Sequence, residues 1–388
     1  MASREPQPSV PARPRIAFTA SLFGPEEEER VRQALQGRTA GDGPFGRRVE
    51  QRLAQQLGVP RVLLTTSCTH ALELALLALD IGPGHEVICP SFTFVSTANA
   101  ILRVGARPVF ADIAEDTLGL DPSDVARKLS PRTAALLPVH YAGNAADMDA
   151  LLALAGDRGL RVVEDAAQAL GASLHQKPLG TLGDAGCFSF HETKNITCGE
   201  GGALAVRDPE LAARAEVIRE KGTNRSAFLR GEVDKYTWVA EGSSYVLSDV
   251  LAAILDAQLD RFAEIQARRA AVVARYREGL AGWAAGHGVR LLAETAGRRN
   301  NHHLFALVFP TEAGRDRCLA ALREAGIQAS FHYVPLHSSP CAQERGLEGG
   351  ELPVTDRVAA GLLRLPLHPL LTAEEVERVI RSVETSLA

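Results

Sequence analysis

Short apolar and β-branched runs alternate with stretches of helical periodicity between about residues 61 and 207. That order predicts successive strand–helix–strand units: an α/β class with a mostly parallel central sheet and helices on both faces. The strand-like runs cover 61–65, 86–89, 108–110, 135–139, 161–164, 186–190 and 203–206. Val49, Leu53 and Leu57 recur every four residues before Gly58, and Ala71, Leu74, Ala75 and Ala78 share one face after Thr69, so each set predicts an amphipathic helix. From Ser248 to about Leu280 the spacing of Leu251, Ile254, Leu255, Leu259, Phe262 and Ile265 predicts one long helix leading out of this unit. Beyond it, strands over 305–308 and 327–330 and a final helix over 372–386 predict a smaller C-terminal α+β domain. The pattern divides the chain into a lead-in over 1–15, a large α/β domain over 16–260 and a small domain over 261–388, with ligands expected at the carboxyl ends of the large-domain strands.

Composition narrows the class. Residues 1–15 carry four prolines and no apolar run, which predicts a disordered lead-in rather than a signal peptide. No later segment is apolar for long enough to predict a membrane span. With 46% hydrophobic and 23% charged residues the chain is neither a disordered nor a fibrous sequence. A net charge of -5 supplies no global basic field to hold a nucleic-acid backbone. The six cysteines Cys68, Cys89, Cys187, Cys198, Cys318 and Cys341 show neither a C-x-x-C pair nor metal-ligand spacing. Reduced cytoplasmic thiols and no metal site are the expectation.

Lysine usage points to chemistry. Only five lysines, at 128, 177, 194, 221 and 235, stand among 42 lysines and arginines. A lysine amine can lose its proton and attack a carbonyl, whereas a guanidinium stays charged. Lys194 lies where the strand over 186–190 ends and before the glycine-rich turn of Gly199, Gly201 and Gly202. It is either a solvated loop residue or an amine presented at a strand's carboxyl end. Asp165 ends the strand over 161–164, where it either caps a following helix or faces a ring nitrogen. Residues 65–69, Thr-Thr-Ser-Cys-Thr, join a strand to a helix and serve either as an N-cap or as a phosphate cradle at the helix N-terminus. The three features fall at the ends of strands in one sheet.

Ser67 to Thr69, residues 90–99 (PSFTFVSTAN), residues 164–168 (EDAAQ) and residues 189–195 (SFHETKN) together resemble the sugar aminotransferases of the DegT/DnrJ/EryC1/StrS family. The likeness runs from about Ile16 to the C-terminus. It implies a fold-type I transferase dependent on pyridoxal 5'-phosphate. Lys194 would carry the cofactor, Asp165 pair with its pyridine nitrogen, Gln168 lie beside its phenolic oxygen and Phe94 stack on its ring. Ser67, Cys68, Thr69 and Ser189 would hold its phosphate. A homodimer with shared active sites is also implied, the partner's phosphate contact falling at Ser244, where many relatives carry asparagine.

The runs 219–226 and 230–238 resemble the branch that aminates the 4-position of dTDP-4-keto-6-deoxy-D-glucose, with L-glutamate as donor and a 4-amino-4,6-dideoxy sugar of galactose or glucose configuration as product. Within them Lys221, Arg225, Arg230 and Lys235 form a basic cluster that either meets the nucleotide pyrophosphate or is a solvated loop. His303, His332 and Tyr333 resemble segments that approach the sugar from the small domain. A related 3-keto sugar or cyclitol aminotransferase is the main alternative. A non-catalytic relative that binds cofactor or sugar would have little reason to keep Lys194, Asp165 and Gln168 together. A dehydrogenase lacks its G-x-G-x-x-G turn after any of these strands, and a sugar dehydratase of the family would be expected to carry histidine in place of Lys194.

Overall fold

The computed structural model describes residues 15–292, 297–347 and 349–387. Apart from Arg15, the lead-in expected over 1–15 lies outside the described residues. The strands of the N-terminal part are β1 (Arg61–Thr65), β2 (Glu86–Pro90), β3 (Arg107–Ala111), β4 (Thr133–Leu136), β5 (Arg161–Asp165), β6 (Ser173–Leu174), β7 (Lys177–Pro178), β8 (Ala185–Ser189) and β9 (Gly202–Val206). Seven of them form the central sheet in the order β1-β9-β8-β5-β4-β2-β3. The pairs β2 with β3, β2 with β4, β4 with β5 and β5 with β8 are parallel. Only β9 runs the other way, antiparallel to both β8 and β1. The cause lies in the connection: a loop without a helix joins β8 to β9, and a parallel return needs a long crossover. That same loop carries Lys194.

Both faces of the sheet are covered, so its strands alternate between two apolar cores rather than between core and water. Val62 and Leu64 of β1 enter one core while Leu63 enters the other, and Val162 and Val163 of β5 divide in the same way. The helix Cys68–Ala78 is apolar nearly all round and correspondingly buried. Gly58 ends the preceding helix, Pro44–Leu57, in the left-handed conformation at φ 67°, as its place after Leu57 predicts.

Three expectations are corrected. The long helix over 248–280 is two helices, Asp249–Asp260 and Phe262–Gly286, parted at Arg261, whose ψ of 4° and N–H to Gln258 carbonyl bond close a tighter turn. The apolar stripe spans the break because each half serves a different core: Leu255 and Leu259 pack on the large sheet, whereas Val272, Tyr276 and Leu280 join the C-terminal core. The run 327–330 is not a strand, since Ile327 and Ser330 make only isolated bridges, to Ile16 and Arg364. The run 135–139 pairs only to Leu136, with Val139 bridging Asp165 alone.

The remaining strands are β10 (Arg290–Leu291), β11 (Arg298–Arg299), β12 (Phe305–Val308) and β13 (Leu362–Leu365). A three-stranded sheet, β10-β12-β13, carries the C-terminal core, and Ile16 packs into it from the start of the described chain. The last helix, Ala373–Glu384, begins with a reciprocal capping pair between Thr372 and Glu375. No described helix is long and apolar enough to cross a membrane.

Candidate active site

A cavity of about 530 Å³ opens at the carboxyl ends of β1, β5 and β8, closed over by residues of β13 and of the segment 330–333. Ser67, Cys68, Thr69, Phe94, Asp165, Gln168, Ser189, Lys194, His303, His332 and Tyr333 all line it. Sequence positions spread over more than half of the chain thus meet in one place. This is the crevice where strand ends in α/β sheets gather ligands.

The Lys194 loop is fixed by its own backbone, with Lys194 N–H donating to the His191 carbonyl and Cys198 N–H to that of Phe190. Next to it Asn195 donates to the Asn301 carbonyl and to Gln266 Oε1, each at 2.8 Å, so the loop is tied to the C-terminal part of the chain. Among the described residues the Lys194 amine has neither a hydrogen bond nor an ion pair, and it faces the cavity. Desolvation lowers its pKa below the ordinary lysine range, against the opposing pull of Cys68 and Asp165. A partnerless amine with a lowered pKa is a nucleophile and a base in waiting.

Asp165 sits at the end of β5, beside Cys187 of β8. Its carboxylate accepts the Thr97 hydroxyl at 2.8 Å and the Ala167 N–H at 3.1 Å. No helix follows it, so the helix-cap reading is not met; the Ala167 bond closes a local turn instead. Burial raises its pKa, and Thr97, the Ala167 N–H and Lys194 offset that only in part. A cation placed against this carboxylate would be held strongly and would return it to the ionised form.

Ser67 caps the helix Cys68–Ala78, its hydroxyl accepting from the His70 N–H at 3.1 Å. The cap reading therefore holds, yet it occupies only one donor. The N–H groups of Cys68 and Thr69 keep no acceptor among the described residues, and the Thr69 hydroxyl lies on the cavity wall. Gly202 underlies this turn: a Cβ there would stand 2.3 Å from the Ser67 carbonyl carbon and 2.4 Å from the Cys68 nitrogen. The closeness of β9 to the turn requires glycine.

Gln168 accepts the Ala142 N–H at 2.7 Å and donates to the Tyr333 hydroxyl at 3.1 Å. Burial pushes Tyr333 up to about 12. Phe94, 57% exposed, leaves a ring face open toward the cavity with its centroid 6.4 Å from that of Tyr333. His303 is buried, with Nδ1 donating to Asn195 Oδ1 at 3.0 Å, and desolvation with the Lys194 charge keeps its pKa well below normal. His332 is lowered to about 2 by desolvation and by Arg364. An amine, a buried carboxylate and an open helix N-terminus flanked by hydroxyls fit the aldehyde, the ring nitrogen and the phosphate of pyridoxal phosphate.

The structure does not bring the other predicted residues here. Lys221, Arg225, Arg230, Lys235 and Ser244 stand apart from the Lys194 cavity within one chain. Arg225 pairs with Asp42, and Arg230 with Glu216 at 2.9 Å and Glu232 at 2.7 Å, so the basic cluster is partly neutralised. Ser244 is exposed and bridges Glu220. Two residues of the site were given no role from sequence. Thr97, buried behind the cavity wall on the Asp165 carboxylate, lies in the run 90–99 but gave no signal of charge or spacing to single it out. Arg364 had one: a lone charge inside the apolar run Leu362-Leu363-Arg364-Leu365.

The sequence profile of the DegT/DnrJ/EryC1/StrS aminotransferase family matches residues 22–384. The chain therefore belongs to that family. It is 36% identical over 378 residues to the spore coat polysaccharide biosynthesis protein SpsC of Bacillus subtilis, a match spanning 95% of this chain and 96% of SpsC. Its fold superposes on the aminotransferase TlmJ of Streptoalloteichus hindustanus with a TM-score of 0.88 at 34% identity, covering 96% of this chain and 99% of TlmJ. Spr1654 of Streptococcus pneumoniae, solved in a PMP-form, matches with a TM-score of 0.88 at 28% identity over 96% of this chain and 97% of that one.

Proposed function

We propose that this protein is a pyridoxal-phosphate-dependent aminotransferase that puts an amino group on a nucleotide-linked keto sugar, with L-glutamate as donor. The observation that carries the reading is the partnerless Lys194 amine in one cavity with the Asp165 carboxylate and the open helix start at Cys68 and Thr69. The existence of a PMP-form of the related Spr1654 supports the choice of cofactor. For the substrate we favour dTDP-4-keto-6-deoxy-D-glucose, on the likeness of 219–226 and 230–238 to the 4-amino branch.

When bound, the cofactor supplies an electron sink for the carbon that loses a proton. The residues of the chain do the rest. Lys194 would hold the cofactor, and its amine would take the proton from the donor carbon and give it back in the exchange. Its lowered pKa suits a base near neutral pH. Asp165, steadied by Thr97 and the Ala167 N–H, holds a proton on the ring nitrogen. Cys68, Thr69 and Ser189 would receive the phosphate, Phe94 would cover the ring, and Gln168, held by Ala142 and Tyr333, would face the phenolic oxygen. His303, His332 and Tyr333 line the side from which the sugar enters.

We further place the protein in a homodimer, in which Ser244 and the basic segment 221–235 of one chain approach the partner's cavity. Exposed Tyr236, Trp238 and Val239, at 54%, 77% and 53%, support this, since such apolar surface is usually covered.

The test is incubation of the holoenzyme with glutamate and dTDP-4-keto-6-deoxy-D-glucose, followed by NMR of the sugar. An amine at the 4-position is expected, and Lys194→Arg should give none. Cofactor converted by glutamate without any aminated sugar would leave transamination standing and refute the substrate.

A further inference from the structure

The cavity holds one cation that the proposed chemistry leaves without a task. Arg364 stands third in β13, opposite Ala306 of β12, and its backbone is doubly bonded to Ser330. Its guanidinium reaches into the Lys194 cavity, near enough to Lys194 to lower the amine's pKa further. Among the described residues no carboxylate touches it. Its Nη1 lies against the His332 ring, 3.0 Å from Nδ1, its plane covers the Phe18 ring at 4.7 Å, and its Nε is buried with no acceptor. Ring contacts hold the planar fork in place without neutralising it.

A largely desolvated guanidinium without a counter-ion is costly, and one aimed into a ligand cavity is met by an anion when the ligand binds. The other charged features of the cavity are accounted for: the open helix start at Cys68 and Thr69 suits a phosphate, and Asp165 is itself an anion. An amino-acid donor carries a carboxylate on the same carbon as the nitrogen exchanged at Lys194, so that carboxylate has to enter this cavity. The nearby histidines cannot serve, because His303 and His332 are held neutral. We propose that Arg364 is the receptor for a carboxylate of the amino donor, binding it through the guanidinium fork that Phe18 and His332 hold in position. This rests on the transaminase reading above. It also explains how one cavity serves two unlike substrates in turn: the donor is held by a charge that the uncharged sugar ring of the acceptor does not need.

The experiment uses the holoenzyme and follows conversion of the bound cofactor by glutamate alone through its absorbance. For Arg364→Gln the half-saturating glutamate concentration should rise about 100-fold, as for truncation of one partner of a desolvated charge pair, with cofactor affinity unchanged. Arg364→Lys should recover part of the loss. Glutarate, which has the donor's carboxylates and no amine, should bind wild-type holoenzyme in calorimetry and compete with glutamate, and should do neither with Arg364→Gln. Unchanged glutamate saturation in that variant overturns the proposal. So does loss of the cofactor itself, which would make Arg364 a phosphate ligand, or a defect confined to the sugar half-reaction, which would assign it to a carboxylate on the sugar. Should neither variant fold, the wild type still decides, since absence of glutarate binding refutes the role. Wild-type holoenzyme that binds glutarate but is not converted by glutamate would support the receptor and refute glutamate as donor.

Discussion

Substituting alanine at Gly202 tests how the proposed phosphate site is built. Gly202 opens β9, paired with Thr65 on one side and Ser189 on the other, and its missing side chain is what lets β9 pass under the turn at Ser67 and Cys68. A methyl group there would meet three backbone atoms, the Ser67 carbonyl carbon at 2.3 Å, the Cys68 nitrogen at 2.4 Å and the Ser67 oxygen at 2.5 Å. Carbon contacts are comfortable near ~3.5 Å, so the turn has to retreat by about 1 Å. Backbone at the start of a buried helix cannot swing aside as a side chain would. Overpacking of this kind costs about 1–3 kcal/mol of stability. The retreat also moves the Cys68 and Thr69 N–H groups, and each charge-assisted bond to phosphate contributes about 1.5–3 kcal/mol. Losing one such bond weakens cofactor binding roughly 10–100-fold. Titrating dialysed Gly202→Ala protein with pyridoxal phosphate, followed by the absorbance of the lysine-bound form, measures the second effect, and urea unfolding the first. Wild-type affinity together with wild-type stability would refute both the packing argument and the placing of the phosphate.

Three other outcomes are expected. Gly282→Ala, in the exposed interior of the helix Phe262–Gly286 with nothing within 4 Å of the new methyl, should raise stability by about 0.5–1 kcal/mol in urea unfolding. Asp256→Asn should lower it by about 3 kcal/mol, because this fully buried carboxylate meets Arg30, Arg48 and Arg52 together and its loss leaves three like charges facing each other. His303 is held below its ordinary value of 6.5, so the unfolded chain takes up this proton first. Its contribution to stability is full above pH 6.5 and falls as the solution is acidified, by up to about 1.4 kcal/mol per pH unit; urea midpoints across a pH series should show a shallower acid limb in His303→Gln.

Much of the large unit was legible because its physics is local. Strand runs with continuous apolar character, the capping order before Ala71, and Gly58 after Leu57 each record a backbone requirement at the residue that meets it. Lys194, Asp165 and Ser67 were readable for the same reason, each standing at the end of a strand where the chain leaves the sheet. The misreadings had non-local causes. The break at Arg261 hides inside an unbroken apolar stripe, since two different cores read the two halves. The run 327–330 looks like a strand, but it meets its neighbours only at its two ends, Ile327 at Ile16 and Ser330 at Arg364, and how far a distant partner runs alongside leaves no mark in the run itself.

By itself, then, the order of residues determined the α/β class, the place of Lys194 just beyond a strand's carboxyl end and the family to which the chain belongs. Only the tertiary structure decided that β9 runs backward under the helix start, that Thr97 steadies Asp165, and that Arg364 enters the lysine's cavity with no carboxylate against it among the described residues. It also decided that Arg225 and Arg230 are occupied by Asp42, Glu216 and Glu232. The reason is physical: strand and helix propensities act over a few neighbouring residues, whereas burial and charge pairing depend on which distant side chains arrive at the same point.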